Sequence, residues 1–334
     1  MSKILEVENL VKMYGDFPAV DGVSFDMEEG EVFGLLGPNG AGKTTTISML
    51  TGVIEPTDGT ARIGGFDIRE ELDEAKKING LVPQDLALYP TISARANLRF
   101  FGRIYGLHGK DLNERVEDVL RIVALTDRAD EAIEKYSGGM KRRINIAAGM
   151  VHQPRLLFLD EPTVGVDPQS RNHIFESVLR LNRERGMSIL YTSHYMEEVE
   201  RLCTRVAIVD QGKIIAMDTV KNLIALLGGG VVVIGVDNVD NQLLSDLSEL
   251  PAVRSVSIAP AAVSPVPVEG EEPKAIDETP TFPKLKVETE NSRDALVNIV
   301  AYLSENDISV RSLEILESNL ENVFLHLTGK KLRE

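Results

Sequence analysis

The run Gly37-Pro38-Asn39-Gly40-Ala41-Gly42-Lys43-Thr44 fits G-x-x-x-x-G-K-[ST], a pattern that few folds can accommodate. Its surroundings sharpen the constraint. Glu31 to Leu36 reads as a short buried strand, and Thr44 to Leu50 as an apolar-periodic helix. The strand therefore ends where the loop begins, and the loop feeds a helix N-terminus. Amide groups there have no intrahelical partner and can point at an anion. Glycines supply positive φ and let the backbone approach phosphate oxygens that a Cβ would block. In such a loop Lys43 reaches the β- and γ-phosphates and the Thr44 hydroxyl ligates Mg²⁺. A chance glycine-rich turn would not bring strand, lysine and threonine into register.

A chain of 334 residues predicts two domains at about 150 residues each. No run of about 18 apolar residues is present, so no bilayer-crossing helix is expected. The start, Met1 to Glu8, carries acids where a signal peptide would place its apolar core. The single cysteine, Cys203, cannot form an internal disulfide and suits a reducing cytosol, with a small packed side chain as its simplest role. A net charge of −16 argues against nucleic acid or anionic lipid as the main partner, since both need a basic face. These features together predict an acidic, cytosolic, two-domain protein.

Ile4 to Val11 alternates like a strand, and Ala19 to Met27 gives a second β-like run, an expected antiparallel pair. Tyr14, between them, has two readings: an aromatic platform for a nucleotide base, or a half-buried strand end. Ile78 to Val82 is a short strand leading into Pro83-Gln84. From about Ser93 to Asp127 the pattern turns helical, with Leu98, Phe101, Ile104 and Tyr105, then Leu112, Val116, Val119, Leu120 and Val123, expected to face a core. Leu86 to Pro90 is apolar without helical period; core packing is the favoured reading and a partner-facing patch the other.

Ser137-Gly138-Gly139-Met140 opens a helix running to about His152, with serine a good N-cap. Lys141, Arg142 and Arg143 lie in its first turn, where the macrodipole disfavours cations, and this placement favours a docked anion. Leu156 to Leu159 is a fully apolar strand ending in Asp160-Glu161. That is the pattern of a buried parallel strand delivering acids to a site, Asp160 for the Mg²⁺ shell and Glu161 to polarise a water. Val164 to Asp167 forms a loop and Gln169 to Gly186 a helix. Ser188 to Thr192 is another strand, ending in Ser193-His194. Gly37, Gln84, Asp160 and His194 thus each follow a predicted strand, so one edge of one sheet would carry all four.

From Ile4 to Leu227 the chain resembles the ATP-binding subunit of an ABC transporter, with six family motifs in order. The resemblance implies an α/β P-loop NTPase fold, with a mixed sheet, an antiparallel β subdomain and a helical subdomain at about 91–150. It implies that Tyr14 stacks on adenine and that residues 37–45, from Gly37 to Thr45, form the Walker A loop. It makes Gln84 the Q-loop residue that senses Mg²⁺ and the membrane subunit. It makes Ser137-Gly138-Gly139 the signature motif, Leu156 to Glu161 Walker B with Glu161 catalytic, Asp167 the D-loop acid and His194 the switch histidine. One departure stands out: the usual Leu-Ser-Gly-Gly-Gln is here Tyr136-Ser137-Gly138-Gly139-Met140, and methionine cannot make glutamine's polar contacts. The resemblance further implies two subunits sandwiching two ATP, each Walker site facing the other's signature motif. Closure would drive separate transmembrane permease subunits through the groove near Gln84, at the cytoplasmic face of the membrane. The other reading is a soluble ABC ATPase without a membrane partner, acting in assembly or on nucleic acid or the ribosome. The acidic charge and the single cassette argue against nucleic acid.

Beyond residues 1–228 the character changes. In 229–334 the order strand, helix, strand, strand, helix, strand suggests a small α+β ferredoxin-like domain. A proline-rich, acidic stretch at 260–283 reads as an extended loop inside it. A last helix, Asn319 to Leu327, lies in a tail (Leu320 to Gly329) that resembles drug- and ion-export ATPases of the daunorubicin-exporter type. This domain reads as a dimerisation or regulatory module.

Overall fold

The structure, a computed structural model, describes residues 2–226, 229–258, 282–316 and 319–328. They divide into a larger unit, up to Val220 and again from Leu327, and a smaller unit, Lys221 to His326, so that the last helix ends in the larger one. In the larger unit β1 (Lys3–Tyr14) and β2 (Phe17–Glu28) pair antiparallel, as the alternation predicts. After β3 (Val32–Leu36) and α1 (Lys43–Leu50), β4 (Asp58–Ile63) and β5 (Phe66–Asp67) extend that pair into a sheet ordered β2-β1-β4-β5. Next come α2 (Leu72–Ile78) and β6 (Asn79–Val82), then α3 (Ala94–Ile104), α4 (Gly109–Ile122) and α5 (Gly138–Met150). The unit finishes with β7 (Leu156–Leu159), α6 (Pro168–Arg185), β8 (Ser188–Ser193), α7 (Met196–Leu202), β9 (Arg205–Asp210) and β10 (Lys213–Thr219).

The central sheet runs β10-β9-β3-β8-β7-β6. Its strands from β9 to β6 are parallel, and β10 closes the edge antiparallel. Every residue of β3, β7 and β8 is buried, as parallel strands covered on both faces require. That explains the unbroken apolar runs of β3 and β7, each fully buried large aliphatic contributing about 1.5–3 kcal/mol. Cys203 is among the buried side chains, and burial pushes its thiol well above the ordinary range.

Two expectations fail in the helical part. Ile104 and Tyr105 are exposed, because α3 turns Ala94, Asn97, Leu98 and Gly102 inward and leaves the residues at its C-terminal end outside. Leu86 and Tyr89 are 44% and 50% exposed, against the core-packing reading of that stretch. The stretch is instead laced by polar groups: Asn97 accepts from the Tyr89 amide (2.8 Å) and donates to its carbonyl (3.0 Å).

Helix α5 lies against β6 at backbone distance. A Cβ on Gly80 would collide with the Gly149 carbonyl, and one on Gly149 would come 2.7 Å from Val82 Cγ2.

After α8 (Val220–Ala225), the smaller unit runs β11 (Val231–Val236), α9 (Asn241–Ser248), β12 (Val253–Ile258), β13 (Lys284–Thr289), α10 (Ser292–Glu305), β14 (Val310–Leu316) and α11 (Leu320–Thr328). Its sheet is ordered β12-β13-β11-β14 with every neighbour antiparallel. Val232, Ile234, Leu285 and Val287 form a core with Leu243 and Leu247 of α9 and with Ala295, Ile299 and Leu303 of α10. The expected loop at 260–283 lies outside the described residues apart from its last two.

The α5–β6 contact yields a stability prediction. Gly80→Ala forces a methyl into a carbonyl that belongs to packed backbone, so urea unfolding should show a loss of about 1–3 kcal/mol or more. Gly138→Ala, with open space around it, should stay within about 0.5 kcal/mol. Parental stability in the Gly80→Ala protein would contradict this packing.

Candidate active site

Because β3, β6, β7 and β8 are parallel neighbours in one sheet, their carboxyl ends share an edge. The loop after β3, Gln84 after β6, Glu161 after β7 and His194 after β8 line one cavity of about 500 Å³ there. Asn39, Gly40, Gly42, Lys43, Thr44 and Thr45 form its floor, and Tyr14 and Phe17 also line it. Ligands of open α/β sheets bind at this edge. Tyr14 is 53% exposed, with the Lys12 ammonium 5.5 Å from its ring centre.

The loop is glycine-bound for steric reasons visible in the structure. Gly42 caps α1 with φ 102°, and a Cβ there would come 2.5 Å from the Ala19 carbonyl. A Cβ on Gly37 would collide with the Val209 carbonyl of β9. Lys43, only 4% exposed, is the first residue of α1. Its Nζ donates to the carbonyls of Gly37 (2.8 Å) and Pro38 (2.9 Å) and lies 3.1 Å from Glu161 Oε1. A cation so buried is retained only because it is fully paired.

The acids are held as tightly. Asp160 Oδ1 accepts from the hydroxyls of Thr44 (3.2 Å) and Thr192 (2.8 Å). Burial pushes the Asp160 carboxyl above its usual range, and those two hydroxyls pull the other way. One carboxylate beside one hydroxyl is a hard-oxygen pair suited to a divalent cation that completes its shell with phosphate and water. Glu161 is 5% exposed and takes φ 43°, a left-handed backbone rare for any residue but glycine. Its amide donates to Thr192 Oγ1 (2.9 Å), and its Oε2 lies 3.1 Å from His194 Nδ1. Lys43, Glu161 and His194 thus form one polar chain across the cavity.

Ser137, Gly138, Gly139 and Asp167 do not line the cavity of their own chain. Ser137 caps α5, its Oγ accepting from the Met140 amide (3.3 Å). Asp167 caps α6 by accepting from the Ser170 amide (2.9 Å), and Gly139 packs closely on Ser170. The basic first turn of α5 behaves differently from expectation. Arg142 is 3% exposed and donates only inward, to carbonyls, while Arg143 Nη1 donates to the Val123 carbonyl (2.9 Å). The Arg142 guanidinium thus satisfies buried backbone and does not await an anion, whereas Arg143 keeps a buried Nε without a partner among the described residues.

Sequence reasoning missed three supporting residues. Thr192 could have been found as a polar side chain directly after the buried Ile189-Leu190-Tyr191 run of β8. Arg142, expected with its neighbours to favour a docked anion, binds buried carbonyls instead. Glu198, 2% exposed, accepts from the hydroxyls of Thr163 (2.7 Å), Tyr191 (2.9 Å) and Ser193 (2.9 Å), yet in sequence it is one acid among several.

Comparison with known proteins agrees with this geometry. Residues 20–164 match the profile of the family described as ABC transporter. The linearmycin resistance ATP-binding protein LnrL of Bacillus subtilis is 43% identical over 332 residues, covering 99% of this chain and all of the relative. The daunorubicin resistance ATP-binding protein DrrA2 of Streptomyces coeruleorubidus is 35% identical, covering 98% of this chain and 95% of the relative. Among solved structures, cbiO1 from Clostridium perfringens, part of the ABC transporter complex cbiONQ, superposes with a TM-score of 0.62 at 28% identity. It covers 67% of this chain and 92% of that one. A phosphate loop, a buried acid pair and a histidine at one sheet edge, in a chain alignable nearly end to end with such relatives, make this protein a member of the ABC transporter ATP-binding family, an ATP-binding and ATP-hydrolysing subunit.

Proposed function

We propose that two copies of this chain close around two ATP molecules and use binding and hydrolysis to drive separate membrane subunits that export a small molecule. The observation that carries the reading is the convergence of Lys43, Thr44, Glu161 and His194 on one cavity, with Asp160 bonded to Thr44 behind its lining. In it, phosphate oxygens replace Glu161 as the acceptor for Lys43, and the amides at the start of α1 bind the same oxygens. Glu161 is then free to take a proton from the attacking water, and His194, hydrogen-bonded to its Oε2, fixes the direction in which it points. Thr44, Asp160 and, through its side chain, Gln84 would hold Mg²⁺, which neutralises charge on the β- and γ-phosphates. Tyr14, with Phe17 beside it, stacks on the adenine.

The N-terminal tip of α5, with Ser137, Gly138 and Gly139, serves the partner's ATP rather than its own. Open space around Gly138 supports this assignment, as does its distance in role from the residues lining the local cavity. Asp167, at the start of α6 beside that tip, acts at the same dimer interface.

Export is supported by two relatives, matching over nearly the whole chain, that are named for resistance to linearmycin and daunorubicin. The same full-length match weighs against an assembly or ribosome-associated ATPase. No helix among the described residues is long and apolar enough to cross a membrane. The reading therefore places the chain at the cytoplasmic face, docked to permease subunits through the exposed Leu86, Tyr89 and Phe100 near Gln84. Residues 1–228 form the ATP-binding domain, with its helical part at about 91–150, and 229–334 form an accessory domain of ferredoxin-like type. The order β12-β13-β11-β14, all antiparallel, supports that type. Its role is dimerisation or regulation.

Glu161→Gln should bind MgATP normally yet lose at least about 100-fold in kcat, as removal of a general base costs. Gel filtration with MgATP should then show a persistent dimer, and hydrolysis at the parental rate would remove Glu161 from its role. Asp160→Asn should raise the Mg²⁺ concentration for half-maximal hydrolysis by about tenfold or more, the site keeping one neutral oxygen where it had a charge. EDTA should abolish turnover in both the parental and the Asp160→Asn protein; a metal-independent rate would refute the Mg²⁺ assignment.

A further inference from the structure

Arg142 is a buried cation whose guanidinium donates to main-chain carbonyls from two separate segments. Nη1 reaches the carbonyls of Pro83 (3.0 Å) and Gln84 (2.6 Å), in the turn after β6. Nη2 reaches those of Asp160 (3.2 Å) and Glu161 (2.6 Å), and Nε that of Pro162 (2.7 Å), in the turn after β7. Burial pulls the guanidinium's proton affinity down, the expected effect of desolvating a cation. Such a planar fork of five N–H donors is matched to several acceptors at once in a way an ammonium is not.

The carbonyl of Glu161 is the telling acceptor. Glu161 holds a left-handed backbone with φ 43°, which costs a non-glycine residue roughly 1–3 kcal/mol unless its surroundings impose it. Three hydrogen bonds hold it here: the Glu161 amide donates to Thr192 Oγ1 (2.9 Å), and its carbonyl accepts from Arg142 Nη2 (2.6 Å) and, over a longer distance, from the Val164 amide (3.3 Å). From that backbone the two carboxylate oxygens reach Lys43 (3.1 Å) and His194 (3.1 Å). One turn further along α5, Asn145 adds to the same face, donating to the Pro83 carbonyl (3.3 Å) and accepting from the Ala87 amide (3.1 Å). Since Ser137 caps the start of α5, one helix joins its own exposed tip to the backbone of both Gln84 and Glu161.

We propose that Arg142 is a positioning residue for hydrolysis: it ties the seating of α5 to the left-handed geometry of Glu161 and to the Gln84 turn. A copy whose α5 tip is displaced therefore holds its own Glu161 out of line. The proposal rests on the hydrolytic role of Glu161 assigned above; the Glu161→Gln experiment tests that role alone, and the following experiment tests the dependence on Arg142.

Arg142→Lys and Arg142→Gln, in the full chain, should be compared with the parent for MgATP dissociation constant, kcat, circular dichroism and thermal unfolding. Both variants should fold and bind MgATP within about threefold of the parent, because neither touches the phosphate loop. Their kcat should fall by about tenfold to 100-fold, the loss expected when a catalytic group is misplaced by an ångström or so. Lysine should not rescue, since one ammonium cannot span both turns. A kcat within twofold of the parent in either variant would overturn the proposal. Nucleotide affinity falling in step with kcat would also overturn it, as would failure of both variants to fold, since each would make the guanidinium a general structural prop.

Discussion

Everything at this site depends on a charge that should not be where it is. Lys43 buries an ammonium group in a protein interior, a step that costs several kcal/mol unless the charge is paired and hydrogen-bonded. The loop's own carbonyls at Gly37 and Pro38 and the carboxylate of Glu161 meet that demand together. Those carbonyls face Lys43 because the loop coils back on itself, which it can do only with glycine at positions where a Cβ would strike Ala19 or Val209. Glu161 in turn reaches Lys43 from a left-handed backbone at the end of β7. The phosphate loop and the acid pair are thus one electrostatic object, although 118 positions separate Lys43 from Glu161 in the chain.

What brings them together is register. Leu159 of β7 pairs with Tyr191 of β8, so the next residues, Asp160 and Thr192, emerge side by side and bond at 2.8 Å. Leu36 of β3 pairs with Ser193, which sets the start of the phosphate loop beside the His194 turn. A slip of one residue would send each of these side chains to the opposite face of the sheet. The buried strands prevent such a slip through fit, because both faces are packed and each has its own shape to fill, and β8 adds the polar contacts of Thr192 and Ser193.

This division explains what could be read from residues alone. The strand-to-loop-to-helix step at Gly37 to Thr44 and the apolar run into Asp160-Glu161 were legible because their chemistry and periodicity are local. The helices at 94–104 and 109–122 were legible for the same reason, but not which residues of the first face outward: Asn97 and Gly102 take inner positions that a hydrophobicity pattern awards to Ile104 and Tyr105. The short β4 and β5 escaped because Asp58-Gly59 and the Gly64-Gly65 turn leave too few alternating residues to show a period. Thr192, Glu198 and the inward turn of Arg142 escaped because their meaning lies in partners tens of residues away, which no local pattern records.

Arg142 shows the limit most clearly. A cation in the first turn of a helix opposes the helix dipole, and on sequence grounds an anion is the natural compensation. The structure supplies carbonyl dipoles instead, from the ends of two strands that α5 crosses. Strand ends in a parallel sheet are rich in such acceptors, because the last carbonyls of each strand lose their ladder partners where the chain turns away, and buried backbone groups must find donors elsewhere. A helix running over that edge at the backbone distance set by Gly80 and Gly149 is placed to provide them, and a guanidinium can satisfy several at once. The same edge that must be left open for a phosphate therefore has to be held from beneath, and the cation that looked unfavourably placed is what holds it.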